Sequence, residues 1–87
     1  MTEQTAVLQN QVGLHARPAT YFIQKANDFK SSVWIEKDER KVNAKSLLGV
    51  LSLGVSKGDT ITIIADGDDQ DEAVSELVAL ISGNFDE

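Results

Sequence analysis

The stretch Gly13-Leu14-His15-Ala16-Arg17-Pro18-Ala19 contains the only histidine and the only proline of the chain. Proline has no backbone N–H and a fixed φ, so within a helix it is tolerated only in the first turn. Pro18 therefore places the start of a helix near Ala16. Downstream of it, apolar residues recur at i, i+3, i+4 and i+7, the spacing of one helical face, at Ala19, Phe22, Ile23 and Ala26. The sequence thus predicts a helix over residues 16–27 that packs this face against a core.

A histidine directly before a helix start has the chemistry of a phosphate acceptor. A neutral imidazole is nucleophilic, and the N–H groups and positive dipole end of a helix N-terminus suit a phosphoryl group. We therefore expect His15 to accept a phosphoryl group and the backbone N–H groups of Ala16 and Arg17 to bind it. The Arg17 guanidinium would stabilise the phosphate through paired, charge-assisted hydrogen bonds. Because short motifs often occur in proteins that lack the corresponding function, the alternative is that His15 is a surface or capping residue.

Length and composition limit the classes of protein to consider. The 87 residues suffice for a single domain over residues 1–87. With no cysteine and one histidine, we expect no disulfide, no metal site and no cofactor. The first residues have neither the basic start nor the apolar run of a signal peptide, and no run of roughly 20 apolar residues follows. We therefore expect a cytoplasmic protein that has no signal peptide and does not enter a membrane.

Charge is distributed unevenly along the chain, whose formal net charge is −6. All eight basic residues lie between positions 17 and 57, and nine acidic residues follow Lys57. The overall acidity argues against nucleic-acid binding, which depends on neutralising phosphates with basic side chains. The basic residues near the histidine could form a local positive face that attracts an acidic protein partner. The alternative is that most of them are solvated surface residues.

Strand and helix patterns alternate over the rest of the chain. Apolar alternation and turn residues predict strands over residues 5–8, 32–37, 41–43 and 60–65. On the second strand, Trp34 faces away from the core and should be partly exposed. The turn at residues 37–40 lacks the glycine that hairpin turns usually carry, so its geometry is not predicted.

The last helix has signals at both ends. Asp69 and Glu72 have the spacing of a capping box that opens it, and Gly83 is its expected C-cap. Its expected core residues are Ala73, Val74, Leu77, Val78 and Ile81. The order β-α-β-β-α-β-α predicts an α+β fold, a two-layer open-faced sandwich with the helices on one face of the sheet.

A shorter helix is expected over residues 47–53, with Ser46 as its N-cap. It is too apolar to be buried on every side of so small a domain. We therefore expect its outer side to form an exposed apolar patch beside the histidine, made of Leu47, Leu48 and Leu51. Its inner side would carry Val50 and Leu53. Exposed apolar patches often mark interaction surfaces, and the alternative is that all five side chains are buried.

Residues 13–19 are similar to the active-site signature of the HPr family, the phosphocarriers of the bacterial phosphoenolpyruvate-dependent sugar phosphotransferase system. Residues 42–54, Val-Asn-Ala-Lys-Ser-Leu-Leu-Gly-Val-Leu-Ser-Leu-Gly, resemble the regulatory-serine segment of that family. The resemblance covers essentially the whole chain. It implies an antiparallel four-stranded sheet in the order 1-4-2-3. It also implies a carrier that is not itself an enzyme.

The resemblance implies that enzyme I is phosphorylated by phosphoenolpyruvate and transfers the phosphoryl group to Nδ1 of His15. His15 then passes the group to sugar-specific enzyme IIA domains. The resemblance further implies phosphorylation of Ser46 by an HPr kinase/phosphorylase, with a transcriptional regulator as a further partner. The alternative is that Ser46 is only an N-cap. We expect a monomer whose partner surface comprises Leu47, Leu48, Leu51, Lys45 and Thr20.

Two other functions remain open. A carrier of the nitrogen-related phosphotransfer branch would share the histidine, and the ending Asn84-Phe85-Asp86-Glu87 resembles that branch. Lys45-Ser46-Leu47, by contrast, is more similar to the sugar-type proteins. The second alternative is a purely regulatory module that acts through Ser46, as in HPr-like proteins without the histidine, and the presence of His15 argues against it.

Overall fold

Strands and helices follow one another in the expected order in the computed structural model, which describes residues 1–11 and 13–83. They are β1 (Thr2–Val7), α1 (Ala16–Asn27), β2 (Ser32–Lys37), β3 (Arg40–Asn43), α2 (Leu47–Ser52), β4 (Thr60–Asp66) and α3 (Gln70–Ser82). No helix within the described ranges is long and apolar enough to cross a membrane. Residues 84–87, whose sequence resembles the nitrogen branch, lie outside the described residues.

The strands form one antiparallel sheet in the order β1-β4-β2-β3, as the family resemblance implies. β4 is the central partner, since its Ala65 pairs with Thr2 on β1 and with Val33 on β2. Alternate residues of a strand point to opposite faces of the sheet. The inward set on β4 is almost fully buried and consists of Ile61, Ile63 and Ala65. Side chains from all three helices join this set in one core, so the helices share one face of the sheet.

The helix and strand patterns predict most of the bounds correctly. α1 covers residues 16–27 and β2 covers residues 32–37, as expected. α1 buries Ala19, Phe22 and Ala26, while Ile23 packs partly buried at the edge of the core. α3 ends at its expected C-cap, Gly83, and buries Ala73, Val74, Leu77 and Ile81. Val78 is only partly buried.

The strand predicted over residues 5–8 is wrong at both ends. β1 begins at Thr2 because the whole segment pairs with β4, from Thr2 opposite Ala65 to Val7 opposite Thr60. Its first half is polar, since an edge strand does not need apolar alternation to pair through its backbone. Leu8 lies beyond the strand and is still fully buried, with its backbone hydrogen-bonded to the loop before β4.

The hairpin between β2 and β3 turns without glycine. Asp38 (φ 52°) and Glu39 (φ 71°) both adopt the left-handed backbone conformation. A type I′ turn requires this conformation at both central positions, at a cost for residues other than glycine. A contact with the loop after α2 supports the turn, because the Lys37 ammonium donates to the Gly54 carbonyl over 2.9 Å.

The capping box predicted at the start of α3 does not form. Asp69 occupies the N-cap position, but its side chain makes no capping hydrogen bond. It accepts hydrogen bonds from the loop between α1 and β2, from the backbone N–H groups of Lys30 (2.9 Å) and Ser31 (3.0 Å) and from the Ser31 hydroxyl. The Ser31 hydroxyl above all, and then the Lys30 amide, hold the pKa of Asp69 below its ordinary value. A long-range contact replaces the local one that the spacing predicts.

We expect Asp69→Asn to lower the melting temperature at neutral pH, because the ionised carboxylate holds three donors from another loop. A carboxyl whose pKa is lower in the folded state stabilises the fold above its unfolded-state pKa, here about 3.8, and loses this effect as the pH falls. The difference from the wild type should therefore shrink below about pH 4. Thermal unfolding across pH measures it. Asp68→Asn makes the same charge change on an exposed neighbour, and an equal effect there at neutral pH would contradict the prediction.

Candidate functional site

His15 stands at the start of α1 with its side chain exposed to solvent. Its backbone is extended (φ −82°, ψ −173°), and its carbonyl accepts the N–H of Ala19 over 2.8 Å as the first hydrogen bond of the helix. The imidazole makes no capping hydrogen bond. His15 is thus the N-cap residue by its backbone alone, which leaves the ring exposed at the positive end of the helix.

Backbone contacts fix the loop that precedes His15. Leu14 is buried, and its N–H donates to the carbonyl of Val55 over 2.9 Å, so it anchors the loop to the segment before β4. Asn10 is fully buried, and its Nδ2 donates to the carbonyl of Gly13 over 2.8 Å. This role of Asn10 was not predicted, although an asparagine three residues before a glycine can bond through its side chain to nearby backbone.

Two features of the backbone require glycine at position 13. Its φ is +74°, a conformation that L side chains rarely adopt. A Cβ atom built at this residue would lie 2.6 Å from the Val55 carbonyl oxygen. The close approach of the two backbones is the same contact that anchors Leu14, so the glycine permits the hydrogen bond that positions His15.

Arg17 lies on the exposed side of α1 next to Tyr21, one helical turn later. Its Nε donates to the Tyr21 hydroxyl over 3.3 Å, and its guanidinium carbon lies 5.9 Å from the centre of the tyrosine ring. These contacts hold the guanidinium beside Tyr21, one helical turn farther along α1 from His15. The role of Tyr21 was not predicted, although the i, i+4 spacing from Arg17 places the two side chains on one face of the helix.

Ser46 caps α2 as expected. Its backbone is extended (φ −108°, ψ 118°), and its Oγ accepts the N–H of Gly49 over 3.1 Å. The residue is partly buried. The hydroxyl therefore already uses one acceptor position at the positive end of a helix, where a negative charge is also favoured.

The outer side of α2 exposes two of the three expected leucines. The exposed fraction is 80% for Leu48 and 41% for Leu47, whereas Leu51 is partly buried against the core. Val50 and Leu53 are buried, as predicted. We call Leu47 and Leu48 the leucine patch. Because α1 and α2 pack against each other, the patch and the α1 side chains belong to neighbouring helices.

Of the remaining expected partner residues, Thr20 lies on α1 and Lys45 lies in the turn between β3 and α2. Thr20 is exposed in the first half of the helix, and its hydroxyl donates to the carbonyl of Ala16 over 2.7 Å. The Lys45 ammonium donates to the carbonyl of Phe29, just beyond the other end of α1, over 2.9 Å. The 12 residues of α1 span about 18 Å. The structure therefore places the Lys45 ammonium away from His15.

In the part of the chain that the structure describes, no three histidine, cysteine, aspartate or glutamate side chains are grouped so that they could hold a metal ion.

The candidate site consists of an exposed imidazole, a helix N-terminus and a guanidinium. Such a set can accept and stabilise a phosphoryl group.

Gly13→Ala should destabilise the fold by about 2–4 kcal/mol, because the new side chain meets both the positive φ and the Val55 carbonyl. Gly54→Ala is the matched control: its φ is +62°, and nothing lies within 4 Å of its added Cβ. That variant should lose only about 1 kcal/mol, from backbone strain alone. Chemical denaturation measures both. If both variants lose the same free energy of unfolding, the close approach to Val55 contributes nothing to the cost of Gly13→Ala.

Comparison with known proteins points to one family. The family model described as the PTS HPr component phosphorylation site matches residues 2–83. The HPr-like protein Crh of Halalkalibacterium halodurans is 48% identical over 81 residues, which cover 93% of this chain and 96% of that protein. The phosphocarrier protein HPr of Neisseria meningitidis serogroup A is 42% identical over 87 residues, which cover 100% of this chain and 98% of that protein.

Solved structures agree. The crystal structure of HPr-C-His from Thermoanaerobacter tengcongensis superposes with a TM-score of 0.96 at 52% identity, over 100% of this chain and 98% of that one. The HPr of that organism is also described as a dimer in a second crystal structure, so the monomer expected here stays a prediction. From the family match over residues 2–83 and these likenesses, the chain belongs to the HPr family of phosphocarrier proteins.

Proposed function

We propose that this protein, acting as one HPr domain, carries phosphoryl groups in the sugar phosphotransferase system. His15 takes the group from phosphorylated enzyme I and passes it to sugar-specific enzyme IIA domains. The observation that supports this most directly is the exposed imidazole at the N-terminus of α1, with Arg17 on the same turn of the helix. Membership of the phosphocarrier family supports the same reading.

Each transfer exchanges one bond to phosphorus for another. A ring nitrogen of His15 forms the new P–N bond while the bond between phosphorus and the donor breaks, and the donor keeps that electron pair. The first backbone N–H groups of α1 and the Arg17 guanidinium stabilise the negative oxygens of the group. Phosphoryl transfer needs chiefly alignment and charge stabilisation, which a docked partner supplies across the interface. The carrier therefore requires no catalytic apparatus of its own.

Partners would dock on the leucine patch together with the exposed side of α1, including Thr20. Exposed leucines beside a reactive group provide the apolar contact that protein interfaces need at their centre. The basic residues before position 58 add electrostatic attraction for an acidic partner, although the chain as a whole carries a net charge of −6.

The decisive test is incubation with phosphoenolpyruvate and enzyme I, followed by assay of acid-labile phosphate. The wild type should be labelled and His15→Ala should not. Arg17→Ala should be labelled roughly 10–100-fold more slowly, because it loses charge-assisted hydrogen bonds to the phosphoryl group. Its circular dichroism spectrum and melting curve should match the wild type. A labelled His15→Ala would refute the acceptor, and a wild-type rate for Arg17→Ala would refute its stabilising role.

Leu48→Ser should raise about fivefold the KM with which enzyme I uses this protein as its substrate, with little change in kcat. The reason is that the substitution removes an apolar contact from the docking surface. Leu48 is 80% exposed, so the fold should keep its stability. Val7→Ser is the control, since Val7 is an exposed apolar side chain on the strand β1. If both substitutions change KM equally, the leucine patch is not the docking surface.

A second candidate function is regulation through Ser46, by an HPr kinase/phosphorylase and with a transcriptional regulator as the reader of the modified form. The observation in its favour is the position of Ser46 at the positive end of α2 beside the leucine patch. A phosphoserine there would add about −1.5 to −2 charge at a helix N-terminus, which favours negative charge. The same charge would oppose an acidic partner that docks on the adjacent patch.

Treatment with an HPr kinase/phosphorylase should add one phosphate to the wild type and none to Ser46→Ala, as read by intact mass. Ser46→Ala should also lose about 1 kcal/mol of stability, since it removes the N-cap. Ser52→Ala changes a second serine of the same helix and should still be phosphorylated. An unmodified wild type would leave Ser46 as a structural cap only, and the carrier function would then stand by itself.

A further inference from the structure

A cavity of about 180 Å³ opens where the loop after α1 meets β2 and β3. Its walls include Lys30 and Ser32 from the loop and the start of β2, Trp34 from β2, and Asn43 and Lys45 from β3 and the turn after it. It lies beyond the C-terminal end of α1, about 18 Å along the helix from His15. The cavity is therefore separate from the phosphoacceptor site.

The charge of this cavity is opposite to that of the protein. The chain carries a net charge of −6, yet the described residues that line the cavity include two lysines and no carboxylate. The Lys45 ammonium is held in place by the carbonyl of Phe29, and that bond uses one of its three N–H donors. Asp69 accepts three hydrogen bonds from Lys30 and Ser31 of the same loop and is not among the lining residues.

Trp34 forms a rigid aromatic wall. The Lys41 ammonium lies 5.2 Å from the centre of its ring and is not part of the cavity lining. In the sheet, Trp34 lies opposite Asn43 on one side and Ile64 on the other, and Ile64 is 95% buried (5% exposed). These neighbours restrict the indole, so a ligand would lose little free energy to ordering it.

We propose that this cavity binds a small organic anion that carries a flat ring next to its charged group. The charged group lies between the Lys30 and Lys45 ammonium groups, and the ring packs on Trp34. The Ser32 hydroxyl and the Asn43 side-chain amide supply hydrogen bonds to the ligand oxygens. The volume equals that of about six water molecules, which suits a single ring with one anionic substituent.

The affinity should be modest, with a Kd on the order of 1 mM, because the cavity is smaller than most ligand sites and open on one side. Weak binding of this kind responds to the millimolar concentrations at which small metabolites occur in cells. The inference does not depend on the proposed carrier function, since none of the groups of the phosphoacceptor site lines the cavity.

Trp34 provides the readout, because it is the only tryptophan of the chain. The full-length protein is titrated with phenyl phosphate at constant ionic strength while the tryptophan fluorescence is recorded. Inorganic phosphate and phenol, the two halves of the probe, are titrated separately. We expect a saturable change with phenyl phosphate, and a Kd at least fivefold weaker for each half.

Lysine variants test where the probe binds. Lys30→Gln and Lys45→Gln should each weaken phenyl phosphate binding about threefold, since each removes one partly solvated charge contact. Lys57→Gln makes the same charge change outside the cavity and should bind like the wild type, as should His15→Ala. Amide chemical shifts report the fold of each variant and should move on ligand addition around Ser32 and Asn43.

Three results would overturn the proposal. They are a response that rises without saturation, an equal loss of binding in Lys57→Gln, and a loss of binding in His15→Ala. The first would mean collisional quenching, the second general attraction to positive charge, and the third binding of the phosphate at the phosphoacceptor site. None of them would alter the labelling of His15 by enzyme I.

Discussion

The burial of one face of β4 is the constraint on which the rest of the fold depends. β4 pairs with β1 on one side and β2 on the other, and its inward side chains are covered by all three helices. Because the sheet alternates between faces, this single choice of register decides which side of every neighbouring strand points to the core. It also decides where the loops that carry the two expected phosphorylation sites lie. A one-residue slip would turn Ile61 and Ile63 away from the core and remove the surface on which α3 packs.

The candidate phosphoacceptor site combines a fixed backbone with an exposed reactive side chain. The loop before His15 is held by the close approach of Gly13 to Val55 and by the buried Asn10, while the imidazole itself makes no capping contact. A carrier needs this division, since its reactive nitrogen must reach donors and acceptors on other proteins without moving the fold. The Arg17 side chain is also exposed, and its hydrogen bond to Tyr21 restricts its position on the helix surface.

Acidic and basic residues are distributed unevenly over the fold, which the net charge of −6 does not show. The acidic residues after position 57 belong largely to α3 and its approach, whereas the basic residues precede them in the chain. The docking surface proposed near His15 and the anion cavity at the other end of α1 both draw on that basic half. Two sites of similar charge at opposite ends of one helix are possible because short-range contacts, and not the net charge, decide what each one binds.

The residue pattern was enough to predict the family, the helix over residues 16–27, the order of the elements and the phosphoacceptor candidate. These depend on local signals, namely the spacing of apolar residues, one proline and two short motifs. The residue pattern could not predict the extent of β1, the partner of Asp69 or the position of the Lys45 ammonium. Each of these is set by residues distant in the chain: the pairing of a polar edge strand with β4, the donors of the loop after α1, and the Phe29 carbonyl. A local pattern carries no information about such contacts, because the free energy that selects them arises only when the elements pack together.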